Sequence, residues 1–230
     1  MRLIKKILIK TKLKEPFKKL LGIKKSPDGF AGSKIYWENR YLSNRDSGPG
    51  SYGRLADFKA EVLNDFVIKN NIKSIIEFGC GDGNQLSLAN YPKYIGTDVS
   101  KTAIELCKSK FKTDTSKSFY LLKDFNGEKI KAELVLSLDV LFHLIEDSVF
   151  EIYMEDLFNT STNYVIIYSS NYEGNIAPHV KCRKFTDWVD KFQMNNWELK
   201  QTIKNKYPFN SDDPNQTSMC DFYIFKRKLT

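Results

Sequence analysis

The stretch IIEFGCGDGN, residues 75–84, constrains the fold more than any other in the chain. A short apolar run passes directly into three glycines spaced two apart. Glycine accepts backbone conformations closed to other residues and lets another group approach the main chain closely. A buried strand followed by so bare a turn is the opening of a ligand-binding βα unit, provided that strands and helices continue to alternate beyond it. They do. Strands are expected at 74–79, 94–98, 118–122, 134–139 and 164–169, and helices at 84–90, 101–111, 146–159 and 185–195. Ahead of the turn, Leu55, Phe58, Val62, Leu63 and Phe66 form one apolar helical face, which Asn70-Asn71 closes. Several strands are nearly unbroken apolar runs, as in a parallel sheet covered on both faces. Residues 197–206 and 220–227 alternate more cleanly with no helix between them, the pattern of an antiparallel edge hairpin. The expectation is a doubly wound α/β domain.

The remaining sequence narrows the function. A chain of 230 residues, 41% hydrophobic and 13% aromatic, is long enough for one domain with a sizeable core. The four cysteines (Cys80, Cys107, Cys182, Cys220) are scattered, without a CxxC pair or paired histidines, so no metal is expected and a reducing, cytoplasmic setting fits. The net charge of +8 resides in one segment: residues 1–25 carry +9 and the rest of the chain −1. A nucleic-acid-binding face spread over the domain is therefore not expected.

Residues 1–33 read as a basic amphipathic arm and 34–230 as the functional domain. The arm has Leu3, Ile4, Ile7 and Leu8 at helical spacing and is interrupted by lysines and Pro16, so neither a signal peptide nor a membrane span is expected. Two readings stand for residues 1–25: peripheral contact with an anionic membrane surface, or packing against the chain's own domain or a partner subunit. Nothing in the sequence specifies an oligomeric state.

The glycine turn chooses among cofactors. A dinucleotide fingerprint places a third glycine where Asn84 stands, and no phosphate-loop motif occurs. The pattern is instead E-x-G-x-G-x-G, Glu77 through Gly83. It resembles motif I of the class I S-adenosylmethionine (SAM)-dependent methyltransferases. The resemblance implies SAM as cofactor and S-adenosylhomocysteine (SAH) as product, held by Glu77, Gly79, Cys80, Gly81, Gly83 and Asn84. It implies that Asp98, ending the second strand, accepts from the ribose hydroxyls, that Asp124 reads the adenine amino group, and that Phe125 covers the ring. A helix N-cap role for Asp98, with Ser100 sharing the turn, is compatible with the first of these.

Over residues 36–230 the chain also looks like bacterial class I methyltransferases found with cell-surface polysaccharide gene sets. The segments that carry this likeness are YWENRY (36–41), SGPGSYG (47–53), FKAEVLNDF (58–66), LSLDVLFHL (136–144), VIIYSSN (165–171) and HVKCRKFTDW (179–188). It implies a Rossmann-like class I fold: a seven-stranded, mostly parallel sheet with an antiparallel edge pair and an N-terminal helical cap.

The acceptor side is expected at the carboxyl ends of the fourth and fifth strands. The only two histidines, His143 and His179, fall there. A sugar hydroxyl needs a base, for which His143 or Asp139 qualifies. A phosphoryl or phosphoramidate oxygen needs only cations, for which Arg183, His179 and Arg54 qualify. Tyr168 and Asn171 are expected to line the pocket, and Trp37 with Tyr41 to cover it or to pack the cap. The nucleic-acid tetrapeptide of amino-methyltransferases is missing after the fourth strand, which reads LDVLFHL. The leading expectation is an O-methyltransferase for a small polar acceptor or glycan precursor. The alternatives are a lipid or other small-molecule acceptor, and a non-catalytic SAM-binding partner subunit.

Overall fold

A computed structural model describes Phe30, residues 32–127 and residues 129–228. The readings made of the basic arm fall outside the described residues. Two helices open the fold, α1 (Ser33–Leu42) and α2 (Gly53–Lys69), with a single 3-10 turn (Pro49–Ser51) between them. The alternating part follows as β1 (Ile75–Phe78), β2 (Tyr94–Asp98), α3 (Lys101–Lys110), β3 (Lys117–Leu121), β4 (Ala132–Leu138), α4 (Asp147–Thr160) and β5 (Ser161–Ser169). The chain ends through β6 (Gly174–Ala177), β7 (Val180–Cys182), α5 (Phe185–Phe192), β8 (Trp197–Ile203) and β9 (Asp221–Arg227).

Seven strands form one sheet in the order β3-β2-β1-β4-β5-β9-β8. The first five are mutually parallel, and β9 runs antiparallel to both β5 and β8. Because β1 leads outward to β2 and β3 while β4 returns to its other side, the strand order reverses between β1 and β4. Ligands of such sheets bind beyond the carboxyl ends of the strands at that reversal.

Alternation along each strand divides the core into two layers. Ile75, Leu134, Leu136 and Ile166 pack with Phe58, Leu63 and Val67 of α2. Their neighbours Ile76, Val135, Val165 and Ile167 face the other way, onto Met154, Leu157 and Phe158 of α4. Leu157 has no exposed surface, and its truncation to alanine costs roughly 2–5 kcal/mol. Local signals set the helix ends. Ser100 accepts from Ala103 N–H at 3.1 Å to start α3, and Asn71, at φ 51°, ends the turn that closes α2.

Two expectations need revision. The helix expected over 84–90 is a single 3-10 turn, Gln85–Leu88. A glycine at φ 73° precedes it, and Ala89 is already extended, so too few residues remain to repay helix nucleation. The segment after β5, where no strand is expected, forms a two-stranded hairpin of β6 and β7 on either side of His179. The shortness of its strands, four and three residues, and Pro178 between them mask the hairpin at sequence level. The 197–203 and 221–227 pair is antiparallel, as the alternation predicts.

Candidate functional site

The three glycines of the β1 turn all adopt left-handed φ: 86° at Gly79, 57° at Gly81 and 73° at Gly83. The space beside each is taken by the protein itself. A Cβ on Gly79 would lie 2.5 Å from Val140 Cγ2, one on Gly81 would overlap the Ser47 hydroxyl, and one on Gly83 would meet Phe111 and Cys107 at about 3 Å. The bareness read in the sequence thus serves close packing as well as any ligand. Val140 follows β4, so the carboxyl ends of β1 and β4 touch here.

Asp98 braces the turn from β2. Its carboxylate accepts from Gly81 N–H at 3.1 Å and Ser100 N–H at 2.8 Å. Burial pushes this carboxyl up to about 6, against the backbone donors that pull it down. Glu77 stands apart from the turn. It is buried, accepts from the Tyr94 hydroxyl at 2.6 Å, and is raised by burial to about 7. Asn84 donates from its side chain to Ser51 C=O at 2.8 Å, and Cys80 is buried. Asp124 is exposed, while Phe125 meets Phe78 edge-on at 5.8 Å.

Residues 33–54 strap this turn down, chiefly through groups that motif reading passed over. Ser47 and Asp82 exchange bonds: Ser47 N–H donates to Asp82 Oδ2 at 2.8 Å, and Asp82 N–H to Ser47 Oγ at 3.0 Å. Tyr52 OH donates to the same Oδ2 at 2.8 Å. Glu38 of α1 accepts from Lys101 N–H at 2.7 Å and from the Thr102 hydroxyl at 2.8 Å, at the N-terminus of α3, where an anion is favoured. The visible signal for this network is Asp82, an acid between two glycines.

The strap also carries Trp37 to the acceptor side. Trp37 meets His143 edge-on at 4.9 Å, and Tyr36 stacks on His179 at 4.7 Å. His143 Nδ1 lies 2.9 Å from His179 C=O. A carbonyl only accepts, so the neutral ring carries its proton on Nδ1 and leaves the Nε2 lone pair free. Burial lowers His143 to about 4 and also lowers His179. His143 is therefore neutral near pH 7, the form a base requires.

Asp139, one residue beyond β4, has φ 58° and lies 2.5 Å from the fully buried Lys59 ammonium. Lys59 escaped notice as a site residue, yet it sits on the apolar face of α2 midway between Leu55 and Leu63. Tyr168 is buried beneath that ammonium, and its hydroxyl lies 2.5 Å from Asn205 Nδ2.

Arg183 and Arg54, expected to clamp an anion, both make contacts within the protein. Arg183 donates to Leu144 C=O, Ile145 C=O and Asp147, and its guanidinium covers Phe150. Arg54 donates to Gln216 C=O at 2.6 Å, pairs with Asp213 and lies over Tyr207. Both guanidinium groups are committed to holding loops. Asn171 likewise bonds Thr186 in the first turn of α5. The structure brings His143, His179, Trp37 and Asp139 to one end of the sheet and gives the arginines and Asn171 to its framework.

By sequence, no family model and no curated protein matches the chain. Solved structures do match in three dimensions. Magnesium protoporphyrin IX methyltransferase from Synechocystis PCC 6803 with bound SAH superposes with a TM-score of 0.63 at 12% identity, over 85% of this chain and 98% of that one. The N-methyltransferase NodS from Bradyrhizobium japonicum WM9, in complex with SAH, gives 0.63 at 12% identity over 86% and 100%. The methyltransferase domain of bacterial CtHen1-C gives 0.57 at 19% over 73% and 96%. This chain has the class I methyltransferase fold. Within that fold, β1 to β5 and the edge strand β8 run one way, and β9 is the reversed strand between β5 and β8. Among the described residues, no group of three or more His, Cys, Asp or Glu is placed to hold a metal, and no helix is long and apolar enough to cross a membrane.

Proposed function

We propose that the protein is a SAM-dependent O-methyltransferase whose acceptor is a small polar molecule with a hydroxyl group, such as a sugar of a surface-glycan precursor. The observation that carries this reading is the three-glycine turn braced by Asp98 at the strand-order reversal, in a fold shared with SAH-bound methyltransferases. Asp98 would hold the ribose, the turn 79–84 would take the methionine and ribose parts, and Phe125 with Asp124 would meet the adenine.

His143 favours a hydroxyl over a phosphoryl acceptor. An anionic oxygen needs cations, and the two expected arginines are committed elsewhere. A neutral hydroxyl needs a base, and His143 is held neutral with Nε2 free. That nitrogen would take and hold the hydroxyl proton as the oxygen bonds the methyl carbon; bound SAM would supply that methyl on a sulfonium sulfur, which would keep the electrons of the broken carbon–sulfur bond as the neutral thioether. The glycan setting comes from the sequence resemblance. In this reading residues 34–230 are the methyltransferase domain, residues 1–33 are an arm that brings it to a membrane or partner, and the site of action is cytoplasmic.

Calorimetry with SAH tests the cofactor assignment. The wild-type chain is expected to bind, and Asp98→Ala to lose about 3 kcal/mol through two charge-assisted bonds. A wild-type chain that ignores both SAM and SAH overturns the reading. Mass spectrometry of the surface glycan with and without the gene, seeking the loss of one methyl per site, tests the acceptor. Tight SAH binding with no turnover on nucleotide-activated sugars would point to a non-catalytic subunit instead.

A further inference from the structure

Lys59 is buried to the last atom in the middle of α2. A buried ammonium persists only where its charge is matched. Its Nζ lies 2.5 Å from Asp139 Oδ2 and 5.2 Å from the centre of the Tyr168 ring. The carboxylate is equally constrained. Asp139 holds a left-handed backbone at φ 58°, which a non-glycine residue keeps only where its surroundings impose it. Its N–H donates to Tyr168 C=O at 3.0 Å. Gly50 packs so near that a Cβ there would lie 2.9 Å from the same Oδ2. Yet the Asp139 side chain retains 20% of its surface, against none for Lys59. An interior cation thus stands behind a partly open anion.

The open anion sits where the two central strands end. Val140, next in the chain, presses on Gly79 of the β1 turn. We propose that Lys59 is a positioning residue, fixing the Asp139 carboxylate as the group by which the site tells a cationic methyl donor from its neutral thioether product. The inference rests on the SAM-dependent reading above. SAM and SAH differ by one methyl group and the positive charge on sulfur. A fixed anion near the sulfur attracts the donor and loses that attraction once the methyl has left, so it opposes product retention. The other titratable groups facing Asp139 are Tyr168 from β5, His143 from the turn after β4 and Cys220 before β9. None is a cation near neutral pH, which leaves Lys59 as the counter-charge.

Separate calorimetric titrations of the full chain with SAM and SAH read the ratio of the two affinities. Asp139→Asn keeps the side chain's size and removes its charge; it is expected to weaken SAM about tenfold while SAH stays within about twofold. Lys59→Met is expected to lose the same preference. Lys59→Met/Asp139→Asn leaves no unpaired charge and is expected to lose no more than either single variant, because the pair acts as a unit. A purely structural lysine would lower both affinities together and leave the ratio alone. An unchanged ratio in Asp139→Asn, or an unchanged or increased one in Lys59→Met, overturns the inference. Should Lys59→Met not fold, the double variant decides, and a wild-type ratio there overturns it. Failure of the wild-type chain to bind either probe would fall on the proposed function instead.

Discussion

The glycine turn and the β5–α5 side of the site are built in opposite ways. At the turn, main-chain N–H groups donate to side chains: Gly81 N–H to Asp98, Asp82 N–H to Ser47, Ser47 N–H to Asp82. On the β5–α5 side, side chains do the work, and those expected to greet a ligand hold the framework, as Arg183 does for the 144–147 loop. Two buried hydroxyls at the end of β5, Ser169 and Ser170, have no protein partner, and neither has Gln85 Oε1 just beyond the turn. Two of the structural neighbours hold SAH, and one is a porphyrin methyltransferase, the other an N-methyltransferase.

The sharpest way to break this comparison is His143→Ala. If chemistry lives in one side chain on the acceptor side, turnover should fall by roughly 10²–10⁴ with SAH affinity unchanged. SAH formation on the precursor that the wild-type enzyme methylates, set beside calorimetry with SAH, measures both. Equal loss of binding and turnover would show that the two sides are not separable.

Titration sharpens the other half. Ribose hydroxyls donate to an ionised Asp98, and this carboxyl is raised to about 6. SAH affinity should therefore climb about tenfold between pH 5 and pH 7 and then level off. Asp98→Asn should flatten the climb. Ligand-free stability runs the other way. Asp98 and Glu77, raised to about 6 and about 7, favour the fold below their unfolded values of about 4. That contribution is lost as pH rises through the folded ones. His143, depressed to about 4, acts in the opposite sense: its contribution is present above about 6.5 and is lost as pH falls through 4. Thermal midpoints of Glu77→Gln against wild type from pH 5 to 8 isolate the buried glutamate, whose replacement should remove part of the decline.

The smallest effect is expected at Arg183. Arg183→Ala should cost roughly 1–3 kcal/mol of stability through lost bonds to Leu144, Ile145 and Asp147, while the acceptor's KM stays within about twofold. A selective rise in KM would return Arg183 to the acceptor pocket and undo the division drawn here.

The same division explains what the sequence disclosed. Apolar runs placed all five parallel strands within about three residues, because two-faced burial leaves a nearly continuous apolar stretch in each. The turn was legible because positive φ at three alternate positions, 79, 81 and 83, favours glycine. The side-chain pairs were not, since Lys59–Asp139 and Ser47–Asp82 join residues 80 and 35 positions apart and no local pattern encodes such partners. Lys59 did leave a trace, a charge on the face that Leu55 and Leu63 bury. The β6–β7 hairpin left none, because its strands are only four and three residues long, too short to show a period.

The place of β9 has a consequence for synthesis. The last strand in chain order lies inside the sheet, between β5 and β8. On a translating ribosome, β5 is made some fifty residues before the strand that will cover it. Until 221–227 emerge, the apolar run VIIYS offers an open edge to any passing strand. The nascent domain is thus a pairing template for the interval between those two events, and a chain stalled short of β9 would keep that edge for good.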